Sequence, residues 1–408
     1  MPDTIVLGAG MVGVATALAL QSRGREVLLI DRNEPGRETS YGNAGLIQAE
    51  AVLPAAIPLT LPRLARIAAG RSREVIWSLR ASPEWLRPVA LYARHSMPDR
   101  YAELVPHYAR LIGRATTDHA ELIAASGAED IIFRTGFIQA YRDARSFAVA
   151  LATAELARSA YGVPFTDLDG QALASAEPAL RQAMSGAVHW TGTWSCRDPG
   201  GLVTRYAALF EKRGGTTVKA DVRHVVPSGS GWRAKGPGAG IEAEDIVVAL
   251  GPWSPALLKP LGYRVPMVFK RGYHQHFEST VPPTRPFMDV ANATVISPML
   301  QGVRVLTGAE LNTISARANP RQLKHSVEAA RDLFELGQPA EPSPWLGVRP
   351  CMPEMLPVIG RASRHNGLWF NFGHGHQGFT LGPTSGALLA DVMAGQAPAE
   401  SLRPYERY

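Results

Sequence analysis

Short apolar runs closed by glycine alternate along this chain with longer Ala/Leu-rich stretches, the pattern of buried strands and covering helices. Thr4-Ile-Val-Leu7 is the first such run. Val14 to Arg23 follows with helical content, and Glu26-Val-Leu-Leu-Ile30 is a second buried strand ending at Asp31. Far downstream, Leu368-Trp-Phe-Asn-Phe372 reads as a strand and Thr380 to Met393 as a helix, with a glycine-rich turn between them. Ser228-Gly-Ser-Gly231 and Gly236-Pro-Gly-Ala-Gly240 bracket Trp232-Arg-Ala-Lys235 and predict the hairpin turns of an exposed meander.

Between the first strand and the first helix stands Gly8-Ala9-Gly10-Met11-Val12-Gly13. In a strand–loop–helix–strand context this spacing is a dinucleotide-binding fingerprint. Gly8 permits the tight turn, Gly10 lets backbone approach a pyrophosphate, and Gly13 lets helix and strand pack closely. The helix N-terminus offers amide donors and a partial positive charge to phosphates. Asp31, 18 positions after Gly13, is placed to accept ribose hydroxyls, with Arg32 beside it. A tight turn with a buried aspartate is the alternative. The fingerprint alone does not separate FAD from NAD. The next segment, Thr39-Ser40-Tyr41-Gly42-Asn43-Ala44-Gly45-Leu46, is a small-residue polar loop suited to run beneath an extended dinucleotide and touch a flavin ring.

Composition narrows the class. At 408 residues, 46% hydrophobic and 19% charged, the chain suits a globular protein of two domains. Two cysteines, Cys196 and Cys351, are too few for a disulfide framework and fit a reducing compartment. No basic leader precedes the first strand, and no run of about 18 apolar residues is present. The net charge of +6 is concentrated: Leu61 to Arg114 holds ten Arg (63, 66, 71, 73, 80, 87, 94, 100, 110, 114) against four acids (Glu74, Glu84, Asp99, Glu103). That segment is a solvated helical face, or a surface that meets anionic lipid or an electron-accepting partner. Nucleic acid is not expected, because aromatics are not interleaved with the basic residues.

The N-terminal fingerprint, the Thr39–Gly45 loop and four further blocks together resemble the D-amino-acid oxidase superfamily. The blocks are Arg197-Asp-Pro-Gly-Gly201, Glu244 to Ser254, Phe269-Lys-Arg-Gly-Tyr-His274, and the closing pair Leu346 to Gly360 and Phe372 to Thr380. The likeness is greatest to the D-amino-acid dehydrogenase (small-subunit) branch and its hydroxyproline-dehydrogenase-like relatives, and weakest from about residue 51 to 185. It implies an α/β fold: a Rossmann-like FAD-binding domain assembled from 1–50, 186–262 and 345–408, and a mixed-β-sheet substrate domain (α+β) from 51–185 and 263–344. Arg197 to Gly201 then turns into a helix from Leu202 to Arg213.

The resemblance further implies oxidation of a D-amino acid by hydride transfer from Cα to flavin N5, giving an imine, with oxygen or a quinone as acceptor. Small or cyclic D-amino acids such as cis-4-hydroxy-D-proline are the expected substrates. The alternatives are a sarcosine- or glycine-type oxidase and a non-catalytic FAD-binding subunit of a larger complex. The protein is expected in the cytoplasm or peripherally on the inner face of the membrane. Beside the residues already named, the expected FAD contacts are Val222, Gly251, Trp253, Arg349, Gly373, His374, Gly375, His376, Gln377 and Gly378. The flavin is expected to be non-covalent, because Tyr41 stands where some relatives carry an attaching histidine and Cys351 lacks the spacing of an attachment cysteine.

Binding an amino-acid carboxylate calls for arginine, whose planar fork matches both oxygens. Arg349 matches the family's carboxylate-binding position, against the plainer reading of a domain-interface brace. Arg271 and Tyr273 come second, with a cross-strand ion pair and a packed aromatic as their plain readings. Many D-amino-acid dehydrogenases read Gly-His-Gly-Thr-Leu-Gly where this chain has Gly373-His-Gly-His-Gln-Gly378, so His376 and Gln377 point to a smaller or more polar substrate. His274 and His276 add to that polarity. Metal is not expected, since no carboxylate or cysteine accompanies these histidines at ligand spacing.

Overall fold

The computed structural model describes residues 2–236, 240–406 and 408. Its first strand, Thr4–Leu7, lies at the centre of a six-stranded sheet ordered Thr216–Lys219, Val27–Asp31, Thr4–Leu7, Asp245–Val248, Leu368–Phe372, Val358–Arg361. All neighbours are parallel except the last pair. Apolar runs without alternation form such strands because both faces are covered. Val6, Leu29 and Val247 point into a core with the helices Met11–Ser22, Pro199–Lys212 and Gly378–Met393. Ile5, Leu7, Ile246 and Val248 point the other way, onto Val225, Trp232 and Ala234 of a small antiparallel sheet. The Ser228–Gly231 turn lies in that sheet; the turn at 236–240 includes residues 237–239, outside the described residues.

A ten-stranded mixed sheet forms the second layer. Its long strand Val268–Phe277 pairs antiparallel with Gly302–Leu306 and Ala309–Leu311 on one side and with Trp345–Cys351 on the other. Phe277, Val303 and Val305 pack against Ala330 and Leu333 of the helix Arg321–Leu333, which closes the outer face. Two of the expected cofactor-domain pieces, 186–262 and 345–408, each begin with a strand of this large sheet, Gly186–Trp190 and Trp345–Cys351. Those strands carry the chain from one layer to the other.

The N-terminal strand, glycine loop and second strand sit within a residue of their expected places. The first helix begins at Met11, three residues before the expected Val14, because the glycine loop itself supplies the start: Val14 donates to Gly10 O at 3.0 Å. The closing helix likewise begins at Gly378.

Candidate functional site

A cavity of about 900 Å³ opens between the two layers. One end is the first glycine turn. Gly8 has φ +108, and a Cβ on Gly13 would stand 1.7 Å from Gly8 O, so no larger residue lets this helix meet this strand. The amides before Val14 have no intrahelical partner. Met11 donates its own to Ser40 Oγ at 2.9 Å, and Val12 lines the cavity. Asp31 faces the same space while accepting the Ala9 amide at 2.7 Å and the Asn33 amide at 2.9 Å; burial raises its carboxyl pKa. Arg32 pairs with Glu38 at 2.6 Å and lies 4.4 Å over the Trp253 ring. Val222, Gly251 and Trp253 complete this end.

The loop after Asp31 runs along the cavity as Thr39, Ser40, Asn43, Ala44 and Leu46, while Gly45 turns beneath it. Asn43 Oδ1 accepts the Gly45 and Leu46 amides at 2.8 and 3.1 Å, and Thr39 donates to Val348 O at 3.1 Å. The loop is also held from the large sheet. Arg304 donates to the carbonyls of Tyr41 and Asn43, and its Nε donates to His276 Nε2 at 2.9 Å. His276 Nε2 is therefore the acceptor nitrogen, and Nδ1 carries the proton toward Glu341, 2.7 Å away. These contacts fix the polar loop to two strands.

The expectation that no carboxylate accompanies the histidines is corrected here. His274, His276 and Glu341 bring ligand atoms within 4.8 Å of one another. The Arg304 guanidinium occupies the free His276 lone pair, and a fixed cation there opposes a second one. His274 does not line the cavity; its ring stacks on Trp345, centroids 4.8 Å apart, and burial pushes its pKa down to about 2.

The second glycine turn places Gly373, His374, Gly375, His376 and Gly378 on the cavity wall. His374 is buried, with Nε2 3.0 Å from Ser385 Oγ, and burial lowers its pKa to about 3. His376 is surrounded by protein yet exposed to the cavity itself. Burial first, then Arg349 and Lys270, push it down to about 4. Water in the open cavity softens that shift, and a ligand that displaces the water restores it. Gln377 lies behind the wall and donates to Gln48 Oε1 at 2.9 Å; Gln48, which lines the cavity, donates in turn to Glu50 at 2.6 Å. Burial raises the Glu50 pKa.

Arg349 also lines the cavity. Nη1 donates to Gly308 O at 2.9 Å and Nη2 to Thr307 O at 3.1 Å, which uses two of its five N–H groups. Its side chain crosses Gly272, where a Cβ would come within 2.7 Å of Nη2. Among the described residues no carboxylate pairs with it, and burial lowers its pKa. Arg271 is different. It is fully buried away from the cavity, with Nε 3.6 Å from Glu310 and Nη2 3.3 Å from the Tyr273 hydroxyl. Tyr273 touches the cavity wall, but its hydroxyl donates to Glu310 at 2.8 Å and accepts the Asn319 amide at 2.8 Å.

Sequence reasoning missed Gln48, Glu50, Arg304, Glu341 and Lys270 as site-shaping residues. None lies in a glycine motif; strand pairing across long sequence distances brings them together. Lys270 alone carried a signal, since it sits next to Arg271 on the long strand.

The arrangement fits FAD: amide donors at the first helix start, an aspartate that accepts an amide of the same turn, and a second glycine turn and helix start on the wall of the same cavity. Residues 3–392 match the family described as DAO, FAD dependent oxidoreductase. A D-amino acid dehydrogenase of Dechloromonas aromatica (strain RCB) is 30% identical over 97% of this chain and 97% of its own. One from Cereibacter sphaeroides (strain ATCC 17029 / ATH 2.4.9) is 32% identical over 97% of this chain and 92% of its own. Among solved structures, glycine oxidase from Geobacillus kaustophilus superposes with a TM-score of 0.77 at 21% identity, covering 99% of this chain and 98% of that one. L-amino acid deaminase from Proteus vulgaris gives 0.75 at 18%, covering 100% and 93%. These two likenesses concern the fold.

Proposed function

Since the chain belongs to the DAO family of FAD-dependent oxidoreductases, we propose that it oxidises a small, polar D-amino acid at its α-carbon, with cis-4-hydroxy-D-proline among the substrates to test. The single observation that carries this reading is Arg349: a half-buried guanidinium facing a cavity, with no carboxylate among the described residues to neutralise it. A ligand that displaces water from the cavity leaves this cation desolvated, and a substrate carboxylate supplies the missing partner.

FAD, when bound, supplies a two-electron acceptor at N5 for the α-hydrogen, taken as hydride, so that the amino acid leaves as its imine. The chain's own residues hold and orient. Arg349 grips the carboxylate with its remaining N–H groups. His376, kept neutral, accepts a hydrogen bond from the substrate nitrogen where a charged imidazole would repel it. Asp31 takes the ribose and the first helix start takes the pyrophosphate. Arg304 pins the carbonyls of the loop at Tyr41 and Asn43, which holds that part of the cavity wall in place. In this reading the six-stranded sheet belongs to the cofactor half (1–50, 186–262, 345–408) and the large sheet roofs the substrate. Tyr41 and the buried, free Cys351 support a non-covalent flavin; acid precipitation is expected to release it into the supernatant.

The test is anaerobic mixing of the yellow holoenzyme with D-alanine, D-proline, cis-4-hydroxy-D-proline, their L-enantiomers, sarcosine and glycine. Bleaching by D-amino acids alone supports the proposal. Bleaching by sarcosine or glycine alone makes it an oxidase of secondary or achiral amines, and no bleaching makes it a binding subunit.

A peripheral membrane contact, with a quinone as acceptor, forms the second part of the reading. Leu61, Leu79 and Leu86 are 82%, 72% and 60% exposed, all within the arginine-rich segment. No helix among the described residues is long and apolar enough to cross a membrane. Exposed apolar side chains in an arginine-rich segment suit the surface of an anionic bilayer. Sedimentation with anionic vesicles that is lost at high salt supports this, and recovery in the supernatant at low salt contradicts it.

A further inference from the structure

We propose that the substrate cavity is built for two carboxylates, so that the preferred substrate is a D-2-aminodicarboxylate of aspartate or glutamate size. This rests on the amino-acid reading above and names its substrate class.

The observation is a second cation beside Arg349. Lys270 on the strand Val268–Phe277 is the direct register partner of Arg349 on Trp345–Cys351, and both line the cavity. Opposed residues of an antiparallel pair share a face at about 5 Å between Cβ atoms, and like charges there repel. Among the described residues no carboxylate pairs with either. The acids that reach the cavity are already engaged elsewhere: Asp31 with two amides, Glu38 with Arg32, Glu74 with Arg63, and Asp221 with Arg223. The Lys270 ammonium rests 4.2 Å over the Tyr92 ring, a contact that holds it in place without neutralising it. The pyrophosphate of a dinucleotide belongs at the Gly8–Gly10 end and leaves the pair unanswered.

Two adjacent cations at the wall of one cavity match one ligand with two anionic groups. Arg349, with its planar fork, takes the α-carboxylate; Lys270, a point charge on a flexible stem, takes the distal one. A neutral side chain would leave the ammonium facing it unpaired.

The test compares isosteres on the holoenzyme: anaerobic bleaching and kcat/KM for D-aspartate against D-asparagine, and D-glutamate against D-glutamine. The charged member is expected to be favoured about tenfold to a hundredfold, the range of one charge-assisted hydrogen bond. In Lys270→Met that ratio falls about tenfold or more, and in Lys270→Arg it is largely kept. A readout without turnover is the perturbation of the flavin spectrum by malonate and by acetate. Malonate is expected to bind at least about tenfold more tightly in the wild type, and that margin is expected to shrink in Lys270→Met. Equal or better use of D-asparagine, D-alanine or cis-4-hydroxy-D-proline overturns the two-carboxylate site while the amino-acid reading stands. A Lys270→Met variant altered in its rate with oxygen but not in its diacid ratio overturns it too. If nothing bleaches the flavin, the amino-acid reading fails, and malonate binding no tighter than acetate then removes the site as well.

Discussion

Arg271 and Arg349 lie one register step apart on neighbouring strands and have opposite surroundings. Arg271 is enclosed by Glu310, the Tyr273 hydroxyl and the carbonyls of Thr313 and Arg317. Arg349 has two carbonyls and an open cavity. Because side chains alternate across a strand, one step in sequence moves a guanidinium from a closed ion-pair network to the wall of a binding site. Arg271 is fully buried and Arg349 half-buried, open to the cavity, and the missing counter-ion sets Arg349 apart. A buried charge with a full set of partners is structural, and one facing a cavity without them awaits a ligand.

Substitution is the most forceful way to break this contrast. Arg349→Met is expected to lower kcat/KM by about two to three orders of magnitude, since truncating one partner of a buried charge pair costs about 2–5 kcal/mol. Its thermal stability is expected to hold or rise, because an uncompensated charge has been removed. Arg271→Met is expected to do the reverse, destabilising the fold by about 3–5 kcal/mol by stranding Glu310. Denaturant titration of both variants, beside steady-state kinetics, checks the pair. An Arg271 variant that is stable but inactive would exchange the two roles.

Asp31→Ala is expected to weaken FAD binding by about tenfold to several hundredfold, through lost hydrogen bonds to a charged acceptor. Flavin retained on gel filtration measures this. Gly272→Ala places a methyl where the Arg349 guanidinium lies and is expected to reduce kcat/KM about tenfold, with an overpacking cost of about 1–3 kcal/mol. Both act at the cavity, one from each of the two large sheets.

Acid sharpens the same distinction among the histidines. His374 and His119 are buried and held neutral, with pKa values pushed to about 3 and about 4 from an ordinary 6.5. Below pH 6.5 the unfolded chain takes up protons that these two refuse. Their contribution to stability is therefore whole above about pH 6.5 and is lost as pH falls toward 4. The melting temperature of the holoenzyme is expected to decline across that window, and His374→Asn to flatten the decline. His376, open to the cavity, is expected to contribute less.

The glycine turns were legible in the sequence because their geometry is local. A positive φ at Gly8 and the lack of room at Gly13 follow from a few neighbouring residues, and the same holds for the turn at Gly373–Gly378. The strands Thr4–Leu7 and Leu368–Phe372 were legible because burial on both faces removes alternation. The partners of Arg271, Arg349 and Lys270 were not. They depend on which strands pair and in what register, and Thr307, Gly308, Glu310 and Glu341 reach the site from pairings that no spacing encodes. Arg349 was named through resemblance, and its lack of a counter-ion is visible only in the folded chain.

Stopped-flow reduction of the flavin tests the central claim most directly, with wild type and Arg349→Met mixed anaerobically with increasing D-amino acid. The expected result is saturable bleaching in the wild type, and in the variant a requirement for about a hundredfold more substrate at equal flavin content. Superimposable concentration dependences would contradict it, for then the unpaired guanidinium is not where the carboxylate binds.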